Sequence, residues 1–143
     1  MGKGTFRKVG ESENRMFGPT CLIICGYDSS EQEEILSLIK ECLSELPVIF
    51  AAKADSGTKL GEMAASKAGK GRGISSDLKR AIIMSGLTEK ELHLLLKSYR
   101  DKGFPTQLWA TLTPVSEKWT LERLLQELSA EAEAFRIRQK QGQ

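Results

Sequence analysis

A single histidine, three cysteines without a CxxC spacing and an aromatic content of 6% narrow the chemistry of this chain before any pattern is read. His93 with Cys21, Cys25 and Cys42 does not form the closed ligand set of a structural metal site, so no metal is expected. The odd cysteine count, with two thiols in apolar runs, fits a reducing compartment better than a disulfide framework. Apolar runs are short: Cys21 to Cys25 and Val48 to Ala52 fall far below the roughly 20 residues of a membrane-spanning helix. Any membrane association is therefore expected to be peripheral. Met1 to Pro19 carries neither an apolar signal core nor a long Arg-rich amphipathic pattern, and reads as a polar tail or as the remainder of a trimmed targeting segment.

What is present is the composition of one globular domain: 143 residues, 40% hydrophobic and 28% charged. The net charge of +2 is too small to argue for nucleic acid, but the charge is unevenly placed. Asp28, Glu31, Glu33, Glu34, Glu41 and Glu45 against Lys40 make the first helical stretch acidic, whereas Lys67, Lys70, Arg72, Lys79 and Arg80 against Asp77 make the middle of the chain basic. That basic segment reads either as a solvated loop or as a surface for an acidic partner.

The chain reads as βαβα written twice. Cys21 to Cys25 is a strand ending at Gly26, and Ser29 with Gln32 has the spacing of a capping box. Ile35, Leu38, Ile39, Cys42 and Leu43 then form one helical stripe that Pro47 brings to an end near Leu46. Val48 to Ala52 is the second strand, followed by a weaker helix over Thr58 to Ala68. Gly69 to Gly73, dense in glycine, is expected to be a mobile connector.

The pattern restarts at Arg80 to Met84, with Gly86 and a Thr88/Glu91 capping box. At a shift of 60, Leu22, Ile23, Ile24, Gly26, Ile35, Leu36 and Ile39 fall on Ile82, Ile83, Met84, Gly86, Leu95, Leu96 and Tyr99. Pro47 and Ala52 align with Pro105 and Ala110 at 58, and Leu60 and Met63 with Leu121 and Leu124 at 61. Duplication and the ordinary likeness of any two βαβ segments both account for this.

The expected fold is a single α/β domain of two βαβα pseudo-repeats, with about four mostly parallel strands flanked by helices. A ferredoxin-like antiparallel sheet is the competing topology. Residues 1–19 are a tail and 20–134 the domain, made of repeat one (20–68), connector (69–78) and repeat two (79–134). Residues 135–143 form a basic C-terminal tail.

In a parallel arrangement the Gly26 and Gly86 turns and the loops at Asp55 and Thr113 share the carboxyl edge where α/β folds bind ligands. The helix N-termini at Ser29 and Thr88 then point to that edge and either cap or hold an anion. The turn after Cys25 has one glycine where a dinucleotide site needs three, so no cofactor is expected. Gly69 to Gly73 leaves a helix and enters a strand, the reverse of a phosphate loop. Cys25 is placed to expose a nucleophile, but nothing in the spacing brings it to His93, and no catalytic residue is assigned. Candidate partner-binding residues are Lys70, Arg72, Lys79, Arg80 and Trp119. Trp119 has a second account: with Thr120 as N-cap it staples onto Leu124 and fixes the entry into the last helix.

Ile82-Ile83-Met84-Ser85-Gly86-Leu87-Thr88, followed by Gly103-Phe104-Pro105, Ala110 to Pro114 and Trp119-Thr120-Leu121, resembles a small family of uncharacterised bacterial and plastid α/β domains. With the first unit included, the two-copy layout is similar to the plastid photosystem I assembly factors. The resemblance implies a non-catalytic interaction protein in the chloroplast stroma, peripheral on the thylakoid. Its partners would be a membrane-anchored tetratricopeptide-repeat assembly factor and stromal photosystem I subunits. The alternative from a different class is a regulatory domain binding a small ligand or nucleic acid. Gly69 to Arg80 contains no aromatic residue to stack bases, so nucleic acid is not expected.

Overall fold

The computed structural model describes residues 14–43 and 45–141. Four strands, β1 (Cys21–Cys25), β2 (Val48–Ala51), β3 (Ala81–Ser85) and β4 (Leu108–Thr111), alternate with helices α1 (Ser29–Leu43), α2 (Leu60–Ala64), α3 (Glu89–Asp101) and α4 (Leu121–Gln141). The βαβα order therefore occurs twice, as expected. The sheet order is β2-β1-β3-β4. β1 pairs with β2 and β3 with β4 in parallel, while β1 and β3 meet antiparallel at the centre. The sheet is thus mixed but mostly parallel.

Side-chain alternation along the strands sorts the core into two layers. Leu22, Ile24, Val48, Phe50, Ile82 and Met84 face α1 and α3, where Ile35, Leu38, Ile39, Leu95 and Tyr99 close over them. Cys21, Ile23, Cys25, Ile49, Ala51, Ala81 and Ile83 face Leu60 and Met63 of α2 and Leu121, Leu124 and Leu125 of α4. Both faces of β1 and β3 are buried, so both read as unbroken apolar runs rather than alternating ones. Each buried Leu or Ile contributes about 1.5–3 kcal/mol.

An approximate two-fold axis relates the halves. On β1 and β3 it passes between Ile23 and Ile83, which face one another and are equivalent at the shift of 60, with Leu22 opposite Met84 and Ile24 opposite Ile82. The backbone repeats the relation: Met16 N–H donates to Leu87 O, and Ser76 N–H to Tyr27 O. On the far layer Leu60 N–H donates to Trp119 O while Leu121 N–H donates to Thr58 O, a reciprocal pair around Lys59 and Thr120. The turn glycines match as well. A Cβ on Gly26 (φ +81°) would lie 2.5 Å from Leu78 O, and one on Gly86 (φ +67°) 2.4 Å from Gly18 O. Each turn is pressed against the chain entering the other half's first strand.

Several sequence expectations change. The shift of 58 for the second strands is replaced by 61: Leu22 pairs with Val48 and Ile82 with Trp109, so Val48 corresponds to Trp109. One added residue in the second half, carried through to Leu60/Leu121, accounts for every offset. The first capping box is Asp28 with Glu31, each accepting from the other's N–H at 2.8 and 3.1 Å, one residue earlier than Ser29/Gln32. The Thr88/Glu91 box forms as expected. α2 is shorter than Thr58 to Ala68, with regular helix only over Leu60–Ala64. The tail expected over 135–143 is helical to Gln141. Of the N-terminal tail, residues 1–13 lie outside the described residues; Arg15 bridges to Thr88, and Met16 packs on the core.

Candidate functional site

Because β1 and β3 are antiparallel, the carboxyl ends of β1 and β2 lie at one edge of the sheet and those of β3 and β4 at the other. The crevice expected from a shared carboxyl edge is thereby undone. The Gly26 and Gly86 turns, the Asp55 and Thr113 loops, and the N-termini of α1 and α3 are divided between opposite edges. Cys25 is fully buried beneath the α2/α4 layer, whereas His93 is exposed on α3 across the sheet. Burial, and then the charge of Asp55, push the Cys25 thiol up to about 12, so it stays protonated and non-nucleophilic. Among the described residues no group of His, Cys, Asp and Glu is placed to hold a metal, and no helix is long and apolar enough to cross a membrane.

The basic connector is fastened to the acidic helix beside it. Gly69 N–H donates to Val48 O and Phe50 N–H to Lys70 O, so the segment runs along the outer edge of β2 in place of a fifth strand. Gly71 (φ +78°) passes so close that a Cβ would stand 2.0 Å from Phe50 O. The buried amide of Gln32 then clamps the chain, accepting from Gly73 N–H at 2.7 Å and donating to Ile74 O at 2.9 Å. The expected mobile connector is a fixed one, because its glycines permit close backbone approach rather than freedom.

The five candidate residues do not converge. Lys70 stands 3.8 Å from Asp55, and Arg72 grips Glu33 with Nη2 at 3.0 Å. Arg80 turns inward: its Nη1 donates to Glu31 at 2.9 Å, its Nε to the Tyr99 hydroxyl at 3.3 Å, and its guanidinium lies 3.9 Å above the Tyr27 ring. The Tyr27 hydroxyl donates to Gln107 Oε1 at 2.7 Å. Arg80 Nη2 and Gln107 Nε2 are enclosed there without an acceptor among the described residues, which ties this cluster to the interior rather than to a surface. Lys79 lies on the opposite layer, lining a cleft with Asp77, Lys53 and Gln126. Trp119 is half-buried against the α2/α4 layer beside Leu124, with Arg123 stacked 4.3 Å over its ring. Thr120 is the N-cap, accepting from Arg123 N–H at 3.2 Å. The staple's residues are thus in place.

What spacing alone did not reveal is a groove between α1 and the connector. Leu36, Leu46, Pro47, Val48 and Ala68 form its apolar walls, and Glu33, Lys40, Glu45 and Arg72 its charged rim. Leu36, on the flank of the α1 stripe, is the sequence signal for it: an apolar residue beside the buried stripe.

Fold and surface together define a three-layer α/β/α domain of two joined halves, with an open groove beside its covered sheet edge. Residues 80–135 match the family model described as Domain of unknown function (DUF3783). The match begins at the residue before β3 and ends within α4, covering one βαβα half and less than half of the chain. No curated protein and no solved structure matches.

Proposed function

We propose that this chain is a non-catalytic interaction protein that promotes photosystem I assembly from the stromal face of the thylakoid, docking a membrane-anchored tetratricopeptide-repeat factor in the α1/connector groove. The observation that carries the reading is the groove itself: apolar walls ringed by charges of both signs, held open by a connector fixed at Gln32, Gly71 and Arg72. A rigid groove of this kind suits a helical partner, since little chain entropy is lost on docking. Separation of the protonated Cys25 from His93 supports a role without covalent chemistry. The photosystem assignment rests on the sequence resemblance.

Tagged chain incubated with solubilised thylakoids is expected to capture the repeat-containing factor together with stromal photosystem I subunits. Ala68→Arg places a long cation in the groove from an exposed position and should lower capture at least tenfold while circular dichroism is unchanged. Recovery of neither partner from a competent extract overturns the proposal.

A further inference from the structure

α4 is longer than the domain it covers. Leu121, Leu124 and Leu125 are buried and Leu128 is partly so, but every residue from Ala130 to Gln141 is exposed. The helix therefore projects from the body by about 18 Å, at 1.5 Å per residue. Its apolar seam does not stop with the domain. Leu121, Leu125, Leu128, Ala132 and Phe135 recur at alternating steps of four and three, the seam of a coiled coil, and Phe135 stands at its outer end 56% exposed. An isolated helical stretch of this length is marginal in water, and a seam of this spacing finds its support in a second helix.

Charge selects which helix. Along the overhang Glu131 and Glu133 come first, and Arg136, Arg138 and Lys140 follow. Such a helix repels a parallel copy of itself and attracts an antiparallel one. The register is also self-consistent. With Ala132 opposite Phe135 of the second copy, Phe135 meets Ala132 of that copy by the two-fold, and a small residue faces a large one at both central layers. In the same register Glu131 and Arg138 occupy the flanking positions that face each other across antiparallel helices, so the Glu131–Arg138 pairing also forms twice. Glu133 is bonded within the helix to Arg136, which leaves Glu131 and Arg138 for this contact. Ile137 lies on the far side of the helix and takes no part.

We infer that the α4 overhang is a homodimerisation element, pairing antiparallel with α4 of a second copy through Ala132, Phe135, Glu131 and Arg138. This surface is separate from the α1/connector groove, so the two proposals stand or fall independently. The paired area is small, and the dimer belongs in the weak, reversible class.

Sedimentation equilibrium of the full chain at 50 mM salt, from 1 to 500 μM, reads the proposal directly. The expected result is a monomer–dimer equilibrium that weakens when salt is raised to 500 mM. Phe135→Asp should be monomeric throughout, with the thermal unfolding of the domain unchanged because the side chain is exposed on the overhang. Glu131→Arg alone should weaken association at least fivefold, and Glu131→Arg with Arg138→Glu should restore it by exchanging the partners. A chain monomeric at 500 μM, a dimer indifferent to Phe135→Asp, or a double exchange that fails to restore association overturns the inference.

Discussion

At the scale of single residues, the Cys25 thiol closes β1 inside the core, and burial followed by the Asp55 charge raises its pKa from 9.0 to about 12. The folded protein keeps this proton where the unfolded chain gives it up. The stabilising contribution is therefore intact below pH 9 and is lost as pH climbs from about 9 to about 12. Tyr27 is shifted in the same direction, chiefly by burial and then by Tyr99, and adds to the loss. The unfolding free energy read from urea titrations should fall between pH 8.5 and 11 by an amount on the order of a few kcal/mol. Cys25→Ala should fall less steeply; identical slopes would remove the thiol from the account. Gln32 teaches a different lesson. Its type and place on α1 suggest a capping residue, yet its amide substitutes for a strand partner and holds Gly73 and Ile74.

At the scale of elements, the connector is decided by where its glycines lie. Gly71 and Gly73 share a left-handed backbone, at φ +78° and +88°, but only Gly71 has neighbours within 4 Å. Gly73→Ala should cost roughly 1–2 kcal/mol for backbone strain alone. Gly71→Ala adds a collision with the Phe50 carbonyl and should cost at least about 2 kcal/mol more, detaching the segment from β2. Chemical unfolding of the two variants side by side tests this, and equal losses would contradict it. The strands and α1, α3 and the start of α4 were legible because period and capping residues are local properties. The fixing of Gly69 to Gly73 was not, since the backbone groups of β2 that need partners leave no trace in residue type. Nor was the antiparallel β1/β3 junction: two fully buried strands show the same apolar run in either direction, so the division of the turns between two edges came only with the structure.

At the scale of the whole molecule, the two halves share one sheet through β1 and β3 and cannot bury their faces separately. Unfolding should therefore be a single transition. Fluorescence of Trp109 and Trp119 reports the second half, and exposure of the Cys25 thiol to a labelling reagent reports the first. The two denaturation midpoints should coincide within about 0.2 M urea, and Ile83→Ala should lower both together by about 2–5 kcal/mol of stability. Midpoints that separate would mean that each half holds itself. The segregation of charge visible along the chain is partly matched within the fold: Arg72 with Glu33 and Lys70 with Asp55 join the connector to the first repeat, and Arg80 with Glu31 joins the start of the second repeat to it.

The joined two-fold has a consequence for how such a molecule changes over generations. Where identical halves come from separate chains, every inherited substitution is expressed at both symmetry-related places, and an alteration useful at one is imposed on the other. Here both halves lie on a single chain, and each change lands once. The edge of β2 carries the Gly69–Lys70 segment, while among the described residues no segment pairs with the matching edge of β4, and the helix that closes the first half stops at Ala64 while its counterpart runs on to Gln141. With both halves on one chain, a substitution in the groove of the first half leaves the projecting arm of the second unaltered, and the two can vary separately.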